Sequence, residues 1–292
     1  MIGTAQFGMP YGIKEHPDIP DDNQLNDLLN FLWDNGVRWL DTAEGYGKAE
    51  QRIGTWHQYH SNKRFNICTK VTGLDHSSRK DLLQSAKRHV IACCNRLNVT
   101  MIDILLWHSA DEYLSDPLTC QVIMKELQKE GLIKLWGVSA YPFHNLMPML
   151  SSEMDMIQLP FNILDSRLID NGVLKAFHSS GIKIYARSVL LQGLLTRSTI
   201  SPDNKLSFCI EALRKYQNVC HNYKRCQGQM AIDYVLSFPE ICGIVLGCRS
   251  LDQFQTLEKW INSTVVLPSD CIKDINNIFR QIDPKVITPT MW

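Results

Sequence analysis

The chain has no surplus of charge, with 30 basic residues against 30 acidic ones in a length of 292. That balance removes the overall electrostatic reason for a nucleic acid or an anionic membrane to be the main partner, and points to a small-molecule substrate instead. No apolar run approaches the roughly 18 residues that a membrane span needs. The opening MIGTAQFGMP lacks the basic and then apolar order of a secretory signal, so the expectation is a soluble, cytoplasmic protein. Cysteine is not scarce, at 10 residues, but the paired short spacings of a zinc module are missing. The tightest group, Cys220, His221 and Cys226 in CHNYKRC, falls short of one, while Cys93 and Cys94 point to different faces of a predicted helix. No metal is expected. Other cysteines lie in apolar runs such as FNICTK and GIVLGC, where a reduced thiol packs as a small hydrophobe. Also missing is the three-glycine fingerprint of an open dinucleotide-binding sheet, since GTAQFGMPYG has the wrong spacing. No low-complexity linker or shift in composition divides the chain, and one domain over residues 1–292 is expected.

What is present is a rhythm of short β-like runs alternating with helical ones. Eight candidate strands are IGTAQF (2–7), VRWLDT (37–42), FNICTK (65–70), IDILLWH (102–108), WGVSA (136–140), MIQLPF (156–161), KIYARS (183–188) and GIVLGC (243–248). Between them, QLNDLLNFLWDN, RKDLLQSAKRHVIACCNRL and the stretch from Leu206 to Phe238 place apolar residues at helical spacing. Alternation of this kind implies parallel pairing. Gly36, Gly131 and Gly181 fall where a helix should stop before the next strand. Eight strands with intervening helices in this length predict an α/β protein built as a single (β/α)8 TIM barrel.

In such a barrel the chemistry lies at the C-terminal ends of the strands. Asp41 ends the second strand, Tyr46 follows in the loop LDTAEGYG, Lys70 ends the third and His108 the fourth. Taken singly, each has a plain structural explanation, because strand-end aspartates often cap turns and strand-end lysines are usually solvated. Together, four proton-handling groups from three consecutive strands make one candidate site. An acid able to protonate a developing alkoxide is what hydride addition to a carbonyl requires at neutral pH. Tyr46 is the candidate acid, Lys70 the cation that stabilises the phenolate left behind, and Asp41 the carboxylate that keeps Lys70 charged in a desolvating mouth. His108 can hydrogen-bond the carbonyl oxygen. Glu44 is read as a loop residue with a capping or solvated role, outside this set.

These motifs, DTAEGYG at 41–47, the strand-end Lys70 in CTK, His108 in LLWHS and GVSA at 137–140, resemble those of the aldo-keto reductases, from GTAQFG to GCRS. The resemblance implies a barrel enzyme that reduces aldehydes and ketones with a nicotinamide cofactor, NADPH ahead of NADH. It implies that Ser139 and Gln158 hold the nicotinamide carboxamide, and that Gly247, Arg249, Ser250 and Gln253 hold the adenosine 2′-phosphate. Arg187 and Ser188 stand at the cofactor position of the seventh strand, where Arg187 replaces the usual stacking aromatic. A cation over the nicotinamide would favour the neutral, reduced form, and Tyr185, two residues earlier, lies too far along the strand to substitute. Thr256 and Leu257 replace the glutamate and asparagine that contact adenine in the family. Phe7, Tyr11, Trp107, Phe143 and Trp292 are candidate pocket residues, although Trp107 should face away from His108. The short tail after Phe279 predicts a mouth open to bulky, sugar-like carbonyl compounds. Two other functions are consistent with the residues: a Schiff-base aldolase using Lys70 as nucleophile, and a regulatory subunit that holds cofactor with little turnover.

Overall fold

In the computed structural model, which describes residues 1–13, 18–74 and 77–292, the strands are β1 (Ile2–Gly3), β2 (Trp39–Asp41), β3 (Asn66–Val71), β4 (Ile102–Trp107), β5 (Ile133–Ser139), β6 (Met156–Pro160), β7 (Lys183–Arg187), β8 (Ile241–Ile244) and β9 (Leu246–Gly247). Every pairing is parallel and joins neighbours in sequence, while β9 pairs with β1. β8 and β9 are one strand interrupted at Val245. The Val245 N–H donates to the Ala186 carbonyl (2.8 Å), and the next amide, Leu246, donates to the Met1 carbonyl (3.1 Å). The eighth strand thus leaves β7 and joins β1, which turns the sheet into the expected barrel.

The period of two along each strand explains which side chains meet inside. Cys68, Ile104, Leu106 and Met156 form the barrel's inner cluster, ringed by Met1, Trp39, Leu135 and Tyr185. Two residues further along the same strands come Lys70, His108, Gln158, Asp41 and Arg187. The inner apolar cluster is therefore a floor, and the polar residues one step above it converge on the mouth. Room inside is limited: a Cβ on Gly137 would lie 2.0 Å from the Met156 carbonyl oxygen, and one on Gly243 would lie 2.7 Å from the Tyr185 ring. β4 is buried at all six positions because its outer face is covered by helices.

Helix Asp22–Asp34 begins with a reciprocal capping box between Asp21 and Gln24. Helix Ala49–Tyr59 packs against helix Arg79–Leu97 through Gly54, where a Cβ would lie 1.9 Å from the Arg96 carbonyl oxygen. The three glycines expected to end helices all have left-handed φ, at 79°, 70° and 82° for Gly36, Gly131 and Gly181. The first expected strand, 2–7, is shorter, because Ala5–Gly8 turns into a helical segment. The stretch from Leu206 to Phe238 is two helices, Ile210–Asn222 and Gln227–Leu236, broken beside Lys224 at φ 52°. Among the described residues no helix is long and apolar enough to cross a membrane, and no cluster of three His, Cys, Asp or Glu side chains could hold a metal.

His57 is buried behind β3, with Nδ1 2.8 Å from the Leu97 carbonyl and Nε2 accepting from the Phe65 N–H at 3.2 Å. Burial lowers its pKa more than the Leu97 hydrogen bond raises it. The unfolded chain binds this proton more readily, so stability falls as pH drops below the ordinary histidine value of about 6.5, by at most about 1.4 kcal/mol per pH unit. Urea unfolding between pH 7.5 and 5 should show this slope, and His57→Gln should reduce it by the share of one histidine, since buried His108, also held at a lowered pKa, adds a slope of the same sign.

Candidate active site at the barrel mouth

Lys70 ends the inward row of β3, and its ammonium is 2.9 Å from both Asp41 carboxylate oxygens, 2.9 Å from the Thr42 carbonyl and 3.4 Å from the Tyr46 hydroxyl. The strand pairing of β2 with β3 accounts for the first contact, since Asp41 is in register with Cys68, one inward position below Lys70. Both charged residues are buried, at 2% exposure for Lys70 and 4% for Asp41. Burial pulls the Lys70 pKa down, but Asp41, followed by Tyr46, more than reverses this and leaves the value raised. Asp41 accepts a further hydrogen bond from Gln158 Nε2 at 2.7 Å. The pair is therefore satisfied on every side that faces the barrel wall.

Tyr46 stands on a loop held by backbone contact with the loop after β1. The Lys48 N–H donates to the Gly8 carbonyl (3.3 Å), and a Cβ on Gly8 would lie 2.1 Å from the Tyr46 carbonyl oxygen and 2.2 Å from the Ala49 nitrogen. Gly47, at φ 59°, completes the approach from the other side. A second tie runs behind the loop. Glu44 is paired with Arg96 and His89 at 3.2 Å each, and buried Glu50 accepts from Arg96 Nε (2.7 Å) and Thr69 Oγ1 (2.6 Å). Thr69 faces outward beside inward Lys70, so this network braces the back of the strand that carries the lysine. Glu44 is thus an anchoring residue. Glu50 is not among the residues that the strand-end pattern points to, and its signal in the sequence is an acid on the buried stripe of helix Ala49–Tyr59.

His108 faces the edge of the Tyr46 ring, with centroids 6.4 Å apart and planes at 86°. Its pKa is lowered to about 4 by burial, then by Lys70 and Arg187, so the ring is neutral at physiological pH and can donate one hydrogen bond. Beside these residues opens a cavity of about 890 Å³. Its walls include Asp41, Tyr46, Lys70, His108, Ser139, Arg187, Ser188, Gly247, Arg249 and Gln253. Gln158 lies behind this wall, fully buried, with its Oε1 lacking a hydrogen-bond partner. Ser250 caps helix Leu251–Asn262 by accepting from the Gln253 N–H, and Gln253 Oε1 accepts from the Arg249 N–H at 3.0 Å. The Arg249 guanidinium touches the Asp18 carbonyl (3.3 Å). Arg187 lies over the Tyr141 ring, 4.3 Å from its centroid, and donates to the Ala140 carbonyl at 3.2 Å.

Of the expected pocket aromatics, Tyr11 lines the cavity. Phe7 and Trp107 are core residues with no exposure, Phe143 is exposed and stacked on Tyr141, and Trp292 donates to the Lys285 carbonyl. The segment after β7 closes one side of the cavity in a costly conformation. Ser188, Leu191 and Gln192 have φ of 58°, 47° and 54°, each a strain of order 1–3 kcal/mol that surrounding packing must hold. Such strain is hard to read from SVLLQG, where only one glycine signals a turn.

The sequence profile described as "Aldo/keto reductase family" matches residues 1–279. The chain belongs to this family. It is accordingly an NAD(P)H-dependent oxidoreductase. Curated relatives include an NADH-specific methylglyoxal reductase of Escherichia coli, 26% identical over 75% of this chain and 76% of that protein. A D-arabinose 1-dehydrogenase of Saccharomyces cerevisiae is 22% identical over 83% of this chain and 78% of its own length. Among solved structures, a holo aldo-keto reductase from Bacillus halodurans superposes with a TM-score of 0.75 at 18% identity, covering 95% of this chain and 90% of that one, which establishes a shared fold.

Gly8→Ala tests the backbone seating of Tyr46 in this aldo-keto reductase. The substitution should lower kcat at least roughly tenfold and depress Tm, because neither neighbour at the contact is a flexible side-chain end. Steady-state kinetics with thermal denaturation would check it. A fully active variant of unchanged Tm would mean that the two loops part without moving the phenol.

Proposed function

We propose that the protein reduces an aldehyde or ketone to an alcohol with NADPH, with Tyr46 protonating the carbonyl oxygen. The observation that carries this reading is the Lys70 ammonium, fixed by Asp41 and within 3.4 Å of the Tyr46 hydroxyl at the cavity wall. A bound nicotinamide supplies the hydride. Tyr46 gives its proton to the oxygen as charge develops there, and Lys70 stabilises the phenolate that remains. Asp41 holds Lys70 in place and charged. Neutral His108 donates a hydrogen bond that orients the carbonyl. Ser139 lines the cavity and offers a hydroxyl to the nicotinamide carboxamide, while Gln158, buried behind it on the adjacent strand with its Oε1 unpartnered, serves as a second contact once the wall in front of it shifts. Ser188 lies on the same wall, while Gly247, Arg249, Ser250 and Gln253 gather at a helix N-terminus suited to a phosphate. The cavity volume falls in the range of cofactor and substrate sites, and Ile287, Pro289 and Thr290 of the tail form part of its wall, so the tail bounds the site that would take a sugar-like substrate.

Schiff-base chemistry fits the same lysine poorly. Asp41 and the Thr42 carbonyl together occupy the ammonium, and its raised pKa opposes the neutral amine that a nucleophile needs. Tyr46→Phe should lower kcat by about 10²- to 10⁴-fold, the usual worth of a positioned acid. Single-turnover reduction of a panel of aldehydes would measure this, and a variant as fast as the wild type would remove Tyr46 from the proton path.

The proposed preference for NADPH is supported by Arg249, a residue of the cavity wall whose guanidinium is matched only by a backbone carbonyl among the described residues. The Escherichia coli relative is named as NADH-specific. Titration by tryptophan fluorescence should give tighter binding of NADPH than of NADH. Arg249→Ala should narrow that difference by about tenfold or more, as expected for a charge-assisted contact. Equal affinities in the wild-type protein would refute the preference.

A further inference from the structure

The chamber around Tyr46 and His108 holds a cation that its own walls leave unbalanced. Lys70 is matched by Asp41 at 2.9 Å. Arg187 is not: its guanidinium donates to the Ala140 carbonyl and rests on the Tyr141 ring, and no carboxylate of the described residues pairs with it. Its position is set from below and behind. Arg187 ends β7 in register with Pro160, its carbonyl accepts from the Phe161 N–H at 3.0 Å, and the next residue turns the chain into the left-handed segment. Tyr141 is itself held by a parallel stack on Phe143, with centroids 5.1 Å apart and planes at 12°. The cation–π contact and the carbonyl contact use one face and one N–H of the guanidinium, so other N–H groups remain to donate. A planar fork of donors held in this way is suited to a carboxylate.

The charge also reaches the reacting end of the chamber. Arg187 and Lys70 both add to the burial that keeps His108 neutral, and Arg187 borders the same cavity as Tyr46 and His108. Tyr11, which also faces the cavity, is kept uncharged by burial, so it brings no negative charge to offset the arginine. An incoming anion meets a net positive wall.

We propose that Arg187, seated on Tyr141, binds the carboxylate of the carbonyl substrate, so that the enzyme selects oxo acids and aldehyde acids over neutral aldehydes of the same shape. The inference rests on the reductase reading above and names the substrate class for that site.

The test compares 4-carboxybenzaldehyde with its methyl ester, and succinate semialdehyde with butanal, using wild type, Arg187→Met and Arg187→Lys. Wild type should favour the acid of each pair in kcat/KM. Arg187→Met should lower the acid-to-neutral ratio by about 10- to 100-fold, the usual worth of a charged hydrogen bond, and Arg187→Lys should restore part of it. A phosphate-bearing aldehyde forms a separate arm, and a preference for phosphate over carboxylate would overturn the assignment. So would a wild-type ratio near one. A loss in Arg187→Met that falls equally on both members of each pair and on cofactor affinity would place Arg187 against the cofactor and overturn it as well. Binding of benzoate against benzamide, followed by tryptophan fluorescence, separates this failure from that of the reductase reading. Benzoate binding lost in Arg187→Met, without turnover of any aldehyde, would keep the anion site and sink the reductase. Equal binding of benzoate and benzamide would sink the anion site, whatever the turnover.

Discussion

The mouth of the barrel is organised by one buried ion pair, Lys70 with Asp41. Two charges removed from water this thoroughly are costly to hold, and the pair persists only because every remaining hydrogen-bonding position toward the wall is filled. The Thr42 carbonyl takes one ammonium hydrogen, and Gln158 gives an amide hydrogen to the carboxylate. Removing one partner would leave a bare charge in the wall, at a cost of about 3–5 kcal/mol. The pair in turn fixes what surrounds it. Gln158 is oriented by Asp41, which leaves its other amide atom without a partner, and the Tyr46 hydroxyl finds its one cationic neighbour at a constant position.

Positions on that wall follow from the strand period more than from local chemistry. An apolar residue two positions earlier on the same strand sets the height of each polar one: Cys68 below Lys70, Leu106 below His108, Met156 below Gln158. The loops then add what strands cannot. Two glycines bring the backbones of the first two loops into contact, and the Glu44, Arg96 and Glu50 network pins the second loop to its helix. Burial of Glu50 between Arg96 and Thr69, each donating to one of its carboxylate oxygens, makes that brace a stiff one.

The barrel was legible in the sequence because parallel strands covered by helices are nearly continuous apolar runs; each of the eight runs contains a strand, although 2–7 keeps only Ile2–Gly3. The grouping of Asp41, Tyr46, Lys70 and His108 was legible too, because each sits at or just after a strand end, and strand ends in a barrel share one rim. What was hidden depended on contacts between distant segments. GTAQF has the composition of a strand, yet Thr4 turns the chain early when its hydroxyl and amide both bond the Asp41 carbonyl. Arg187 was visible as a departure in the seventh strand, but its partner Tyr141 comes from the loop after β5 and could not be paired with it from spacing alone. The left-handed run after β7 is carried by serine, leucine and glutamine, residue types that do not announce such a backbone.

The interruption at Val245 gives the barrel a clasp. β1 meets β9 through only two residue pairs, Ile2 with Leu246 and Gly3 with Gly247, as short a ladder as β1 makes with β2 on its other side. Both sides of that ladder face the cavity, through Gly3, Thr4 and Ala5 on one side and Leu246, Gly247 and Arg249 on the other. A molecule that fills the cavity therefore spans the join, and its binding energy adds to the few hydrogen bonds that keep the hoop shut. The seam that closes the barrel and its binding surface are the same strip of backbone, so occupancy of the site fastens the ring where it joins.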